Sequence, residues 1–135
     1  MKIWTYNLNY MKDILVSFEV AKLLKKKGFN LETDHFYDSN GRLDGDFTTE
    51  SYPAPTQSLV KLWLILTYNI CIVVDIHLLN FLGKTKWMYI IEKFDDTSVD
   101  YITSQGDEDD KHIYNTYDEA LENALIYSLN NLIPD

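Results

Sequence analysis

The chain has 135 residues, 46% of them hydrophobic and 24% charged, with five Gly and three Pro. That excludes a wholly disordered, collagen-like or low-complexity polymer and points to a single domain, residues 1–135, with its own core. Twelve basic against 21 acidic residues leave a net charge of −9, which argues against direct binding of a polyanion such as nucleic acid.

The charge is uneven. Six lysines, including the cluster Lys22, Lys25, Lys26 and Lys27, face only Asp13 and Glu19 in the first 29 residues. The cluster reads as a solvated helix end, where cations favour the helix dipole. The lone cysteine, Cys71, permits no intrachain disulfide and no thiol zinc cluster, and it fits a reducing compartment. The opening MKIWTYNLNY lacks the apolar core of a secretory signal. The longest apolar stretch, residues 59–66, is broken by Lys61 and falls far short of the roughly 20 residues a spanning helix needs. The expectation is a cytoplasmic protein that does not enter a membrane.

In residues 1–10, Trp4, Tyr6, Leu8 and Tyr10 alternate with polar residues, as in a short strand. Met11 offers a second start, so residues 1–10 read equally as an N-terminal extension dispensable for folding. A helix is predicted over about 17–27. Ser17 caps it, Val16 staples onto Ala21, Gly28 ends it, and Val20, Ala21, Leu23 and Leu24 form its buried stripe. Residues 33–47 read as a hairpin turning at Asn40-Gly41, a pair suited to the positive φ of such turns. Residues 44–55 follow as a loop, and Pro53 and Pro55 keep it extended.

Thr56 caps a second helix, about 56–67. Its expected buried stripe is Leu59, Leu62, Trp63 and Leu66, with Val60, Leu64 and Ile65 apolar on other faces. A helix apolar nearly all round is either central to the fold or covered by a partner. Residues 70–78 alternate as a strand: Ile70, Ile72, Val74, Ile76 and Leu78 on one face, Cys71, Val73, Asp75 and His77 on the other. Further strands are predicted at 87–94 and 99–103, then an acidic loop at 104–111. Thr116 and Glu119 form a capping box for a last helix over 117–132, with a stripe through Leu121, Ala124, Leu125, Ser128, Leu129 and Leu132. The predicted fold is α+β: a small antiparallel sheet, with strands near 33–47, 70–78 and 87–94, packed with three helices over about 17–27, 56–67 and 117–132.

The chemistry-bearing residues do not assemble into a known pattern. His35, His77 and His112 lie far apart, and residues 38–46 place no bidentate acid where a calcium loop needs one. Cys71 and His77 share a strand face but stand about 20 Å apart at 3.3 Å per residue, too far for a nucleophilic dyad. Asp75 and His77 fit a surface pair. No nucleophile elbow, P-loop or dinucleotide fingerprint occurs. The expectation is a protein that is not an enzyme and uses no cofactor or metal. Aromatic content is high at 14%, with ten Tyr. Tyr and Trp serve as binding anchors because they bury large area and keep a polar tip.

Three segments carry a resemblance: LVSFEVAKLLKKKGF at 15–29, YPAPTQSLVKLWL at 52–64 and TYDEALENAL at 116–125. In this order they resemble an uncharacterised family of small proteins from phages and prophages of Bacteroides-type bacteria. The shared positions are Lys25, Gly28 and Phe29, then Tyr52, Ala54, Pro55, Thr56, Trp63 and Leu64, then Thr116, Tyr117, Ala120 and Leu121. The similar proteins often continue Trp-Leu with Arg-Glu-Lys, where this chain has Ile65, Leu66 and Thr67. The resemblance implies a mobile-element origin and action in the host cytoplasm. It supplies no activity, cofactor or catalytic residue.

The functional expectation is a non-enzymatic phage- or prophage-encoded protein that binds a host or phage protein. The expected interaction surface comprises Tyr52, Ile65, Leu66 and Tyr68, and a homodimer through the same surface is a variant of it. Two alternatives stay open: a protein that binds or sequesters a small nucleotide-type ligand, and an acidic decoy of nucleic acid.

Overall fold

The computed structural model describes residues 13–76, 85–104 and 113–134. In chain order these form α1 (Phe18–Lys26), β1 (Phe36–Tyr37), β2 (Tyr52–Pro53), α2 (Gln57–Tyr68), β3 (Ile70–Ile76), β4 (Trp87–Phe94), β5 (Val99–Thr103) and α3 (Tyr117–Asn131). The fold is α+β, with three helices and small antiparallel sheets among the described residues. The expectations for residues 1–10, His77, Leu78 and the acid run 107–110 lie outside the described residues.

Each helix starts where a side chain satisfies an orphan N–H. Ser17 Oγ accepts from Val20 N at 3.2 Å, Thr56 Oγ1 from Leu59 N at 3.2 Å, and Thr116 Oγ1 from Glu119 N at 3.1 Å. The stops are equally local. Gly28 adopts φ 83°, which lets Phe29 N reach Leu24 O at 2.9 Å and Gly28 N reach Lys25 O at 3.3 Å. Asn69 ends α2 at φ 56°, and its carbonyl accepts from Phe94 N at 3.0 Å. The stop of α2 is thereby tied to the end of β4.

Strands β3, β4 and β5 form one antiparallel sheet in that order. Its register aligns Ile72 with Ile91 and Ile91 with Ile102. The inner face carries Ile70, Ile72, Tyr89 and Ile91 into a core completed by residues of all three helices, among them Leu24, Trp63 and Leu125. Trp63 is 3% exposed, its ring edge-on to Phe29 at 5.2 Å and Tyr68 at 5.3 Å.

Two expectations need correction. The hairpin over 33–47 shrinks to a single bridge between Tyr37 and Leu43. Strand β1 pairs instead with β2, Phe36 opposite Pro53 and Tyr37 opposite Tyr52, in a sheet separate from the three-stranded one. The Asn40-Gly41 turn is present, with Gly41 at φ 83°. However, the Asp38 carboxylate accepts from both Asn40 N and Arg42 N at 2.9 Å. This wraps the turn locally, and Asp44 at φ 54° then bends the returning chain away from strand geometry.

The second correction concerns α2. Its buried residues are Gln57, Val60, Trp63 and Leu64, not a stripe through Leu62 and Leu66. Leu62 is 47% and Leu66 71% exposed. Because the helix is apolar on several faces, periodicity alone does not fix its rotation. The rotation is set by Gln57, whose backbone N–H donates to Ile14 O at 2.8 Å and whose side chain is drawn inward to α3.

Candidate functional site

Helix α2 turns an apolar stripe outward. Leu62, Ile65 and Leu66 lie at i, i+3 and i+4, and all three are exposed. Lys61 is the only charged residue between Gln57 and Tyr68, in a chain that is otherwise strongly acidic. Water does not favour such a stripe, and contiguous exposed apolar surface marks contact sites. Sequence reasoning named Ile65 and Leu66 as contact residues, yet counted Leu66 together with Leu62 in the buried stripe of the helix.

The remaining expected surface residues sit differently. Tyr68 is half-buried at the end of α2, its ring edge-on to Trp63. Tyr52 belongs to β2 and packs against α1. Its ring meets Phe18 at 5.5 Å, and the Lys25 ammonium lies 5.0 Å from its centroid. Lys25 is held there because its Nζ donates to Thr49 O at 2.8 Å and Ser51 O at 2.9 Å. The structure therefore groups Tyr68 with Ile65 and Leu66 on one element and engages Tyr52 on another.

A second apolar surface is the outer face of the three-stranded sheet. The register puts Cys71, Glu92 and Tyr101 in one row, Val73, Ile90 and Thr103 in the next, and Phe94 opposite Val99. Val73 and Tyr101 are exposed, and Cys71 and Ile90 half-buried. The core cluster draws its buried sheet residues from the opposite face.

The third feature is a cavity of about 560 Å³ where the starts of α2 and α3 meet the start of β4. Trp87 and Tyr117 form an aromatic wall, with rings edge-to-face at 5.7 Å. The strap at residues 13–16 is pinned beside it, since Val16 N donates to Pro55 O at 2.9 Å and Leu15 bridges Thr56. A reciprocal pair of 2.8 Å bonds between Trp87 and Tyr114 fixes the opposite side. Gln57 lines the cavity and is only 2% exposed. The two caps, Thr56 and Thr116, were legible in the sequence, but their convergence was not.

The electrostatics are local. Burial, with Tyr114 and Tyr127 nearby, pushes the Tyr89 phenol up to about 12. Burial also raises Tyr37 and Tyr114. The His35 ring, 2.8 Å from Asp44, holds the Asp44 carboxyl below its ordinary range. Hydrogen bonds from Thr97 and Ser98 do the same for Asp95. Among the described residues, no group of three or more His, Cys, Asp or Glu is placed to hold a metal ion. Among them, no helix is long and apolar enough to cross a membrane. No family model matches the chain, and no curated protein or solved structure matches it either.

Proposed function

We propose that this chain is a non-enzymatic interaction protein that binds another protein through the outward stripe of α2. The observation carrying this reading is the split character of that helix. Val60, Trp63 and Leu64 anchor one side in the core, while Leu62, Ile65 and Leu66 stand exposed on the other. An anchored helix presents its outer side chains with little ordering cost on binding, which favours affinity. The apolar stripe supplies the contact area, and the acidic remainder of the chain disfavours polyanionic partners. The resemblance to phage and prophage proteins supports a mobile-element origin and action in the host cytoplasm.

Affinity capture from host lysate, run in parallel with wild type and Ile65→Arg, tests this reading. The expected result is a protein retained by wild type and lost by the variant, both being folded. Sedimentation of wild type at micromolar concentration identifies whether that protein is a second copy of the chain. An identical capture profile for the two proteins, with wild type monomeric, contradicts the proposal.

A further inference from the structure

The turn at Asn40-Gly41 carries a reactive pair. Asn40 is the only asparagine in the sequence followed by glycine. Glycine lacks the side chain that elsewhere crowds the backbone nitrogen after an asparagine. That nitrogen can therefore reach the side-chain carbonyl of Asn40. Asn40 is exposed, so water and base have access to it.

The fold restrains this pair without burying it. Gly41 N donates to Asp38 O at 3.0 Å, which occupies the proton that the attacking nitrogen must lose. Asp38 Oδ1 accepts from Asn40 N and from Arg42 N, both at 2.9 Å, on either side of the reacting bond. One residue thus supplies the whole clasp. It lies at the surface, where local opening costs far less than global unfolding. Gly41 is also seated on α1. A Cβ there would stand 2.9 Å from the Phe18 ring, which itself meets Tyr37 at 5.6 Å and Tyr52 at 5.5 Å. The same loop holds Asp44-Gly45, a pair open to the related reaction of an un-ionised carboxyl. Asp44 is engaged by the His35 ring at 2.8 Å and by Phe36 N at 3.4 Å. The His35 hydrogen bond keeps it below the ordinary carboxyl range, as an anion that resists attack.

We propose that Asn40 is a site of self-modification, deamidating through a succinimide at a rate set by the Asp38 clasp. Base removes the Gly41 N–H proton, and the nitrogen's electron pair forms a bond to Asn40 Cγ. The Cγ–Nδ2 bond breaks, and Nδ2 leaves as ammonia, taking a proton back from the protonated base. Water then opens the imide ring. Cleavage between Gly41 N and Cγ leaves aspartate. Cleavage between Gly41 N and the Asn40 backbone carbonyl leaves isoaspartate, with the chain running through Cβ and Cγ. The isoaspartyl chain is longer by one backbone atom. Gly41 then loses its seat on Phe18, and Arg42 N its place on Asp38.

Incubation of the full chain in mildly alkaline buffer, read by peptide mapping and mass spectrometry, tests this. Wild type is expected to gain the mass of an NH2-to-OH exchange at Asn40, in two products that separate by chromatography. Asn40→Gln is expected to stay unmodified at that position. Asp38→Ala, shown to be folded by circular dichroism, is expected to convert about tenfold faster or more, the loss of charge-assisted bonds that hold the turn closed. If that variant does not fold, Asp38→Asn keeps an acceptor without the charge and is expected to accelerate conversion in the same direction. Hydrogen exchange at Arg42 N is expected to rise in the isoaspartyl form. A wild type unmodified at Asn40 overturns the proposal. So do equal rates in wild type and a folded Asp38 variant, or unchanged exchange at Arg42 N in the isoaspartyl form.

Discussion

Ser128 sits in the last turn of α3, fully buried, and its hydroxyl has no hydrogen-bond partner. A buried unpaired hydroxyl retains its desolvation penalty, and removing it recovers roughly 1 kcal/mol or more. Ala is also the better helix former. Ser128→Ala is therefore expected to raise the urea midpoint by a stabilisation of about 1 kcal/mol, with an unchanged slope. Tyr89 gives a pH signature. Its folded phenol ionises near 12 against an ordinary value of 10.0. The unfolded chain thus loses this proton first, and stability that is complete below pH 10 declines as the pH rises towards 12. Urea titrations across that window are expected to show the decline, and Tyr89→Phe reduces it. A flat profile for wild type contradicts the buried placement of this ring.

Helix α2 decides most of the account at the scale of elements. Trp63 anchors it between Phe29 and Tyr68. Trp63→Ala is expected to cost roughly 3–5 kcal/mol in denaturant unfolding, the range for a large aromatic lost from a core. The element boundaries were largely legible, because caps and stops act within a few residues. Ser17, Thr56 and Thr116 mark the helix starts, and Gly28 marks an end. Alternation in residues 70–76 placed β3 with its inner face correctly assigned at Ile70 and Ile72. The rotation of α2 was not legible. Leucines on several faces make its apolar pattern nearly isotropic, and the deciding contacts are Gln57 to Asp118 and Glu122, more than 60 residues away. The 33–47 hairpin is shorter than its signal suggests for a related reason: the turn at Asn40-Gly41 forms and Tyr37 bridges Leu43, but Asp38 and Asp44 redirect the chain on either side of it.

The whole molecule places helices on one face of a three-stranded sheet and leaves distinct surfaces for contact. The cavity required the strap at 13–16, two helix starts and the first residue of β4 to converge, and no local pattern encodes that convergence. The outward stripe of α2 follows from the same packing: once Val60, Trp63 and Leu64 turn inward, Leu62, Ile65 and Leu66 must turn outward. The proposed partner binding, by another protein or by a second copy of the chain, depends on that orientation. Denaturant unfolding of Leu66→Lys beside Trp63→Ala, each as the chain alone, tests it most directly. Lys is nearly as good a helix former as Leu and suits the C-terminal half of a helix. The orientation described here predicts a change within about 0.5 kcal/mol for Leu66→Lys, as for other surface substitutions, against the large loss for Trp63→Ala. A loss of about 2 kcal/mol or more for Leu66→Lys, the scale of a buried leucine, with Trp63→Ala near neutral, would mean the helix is turned the other way and the stripe is core.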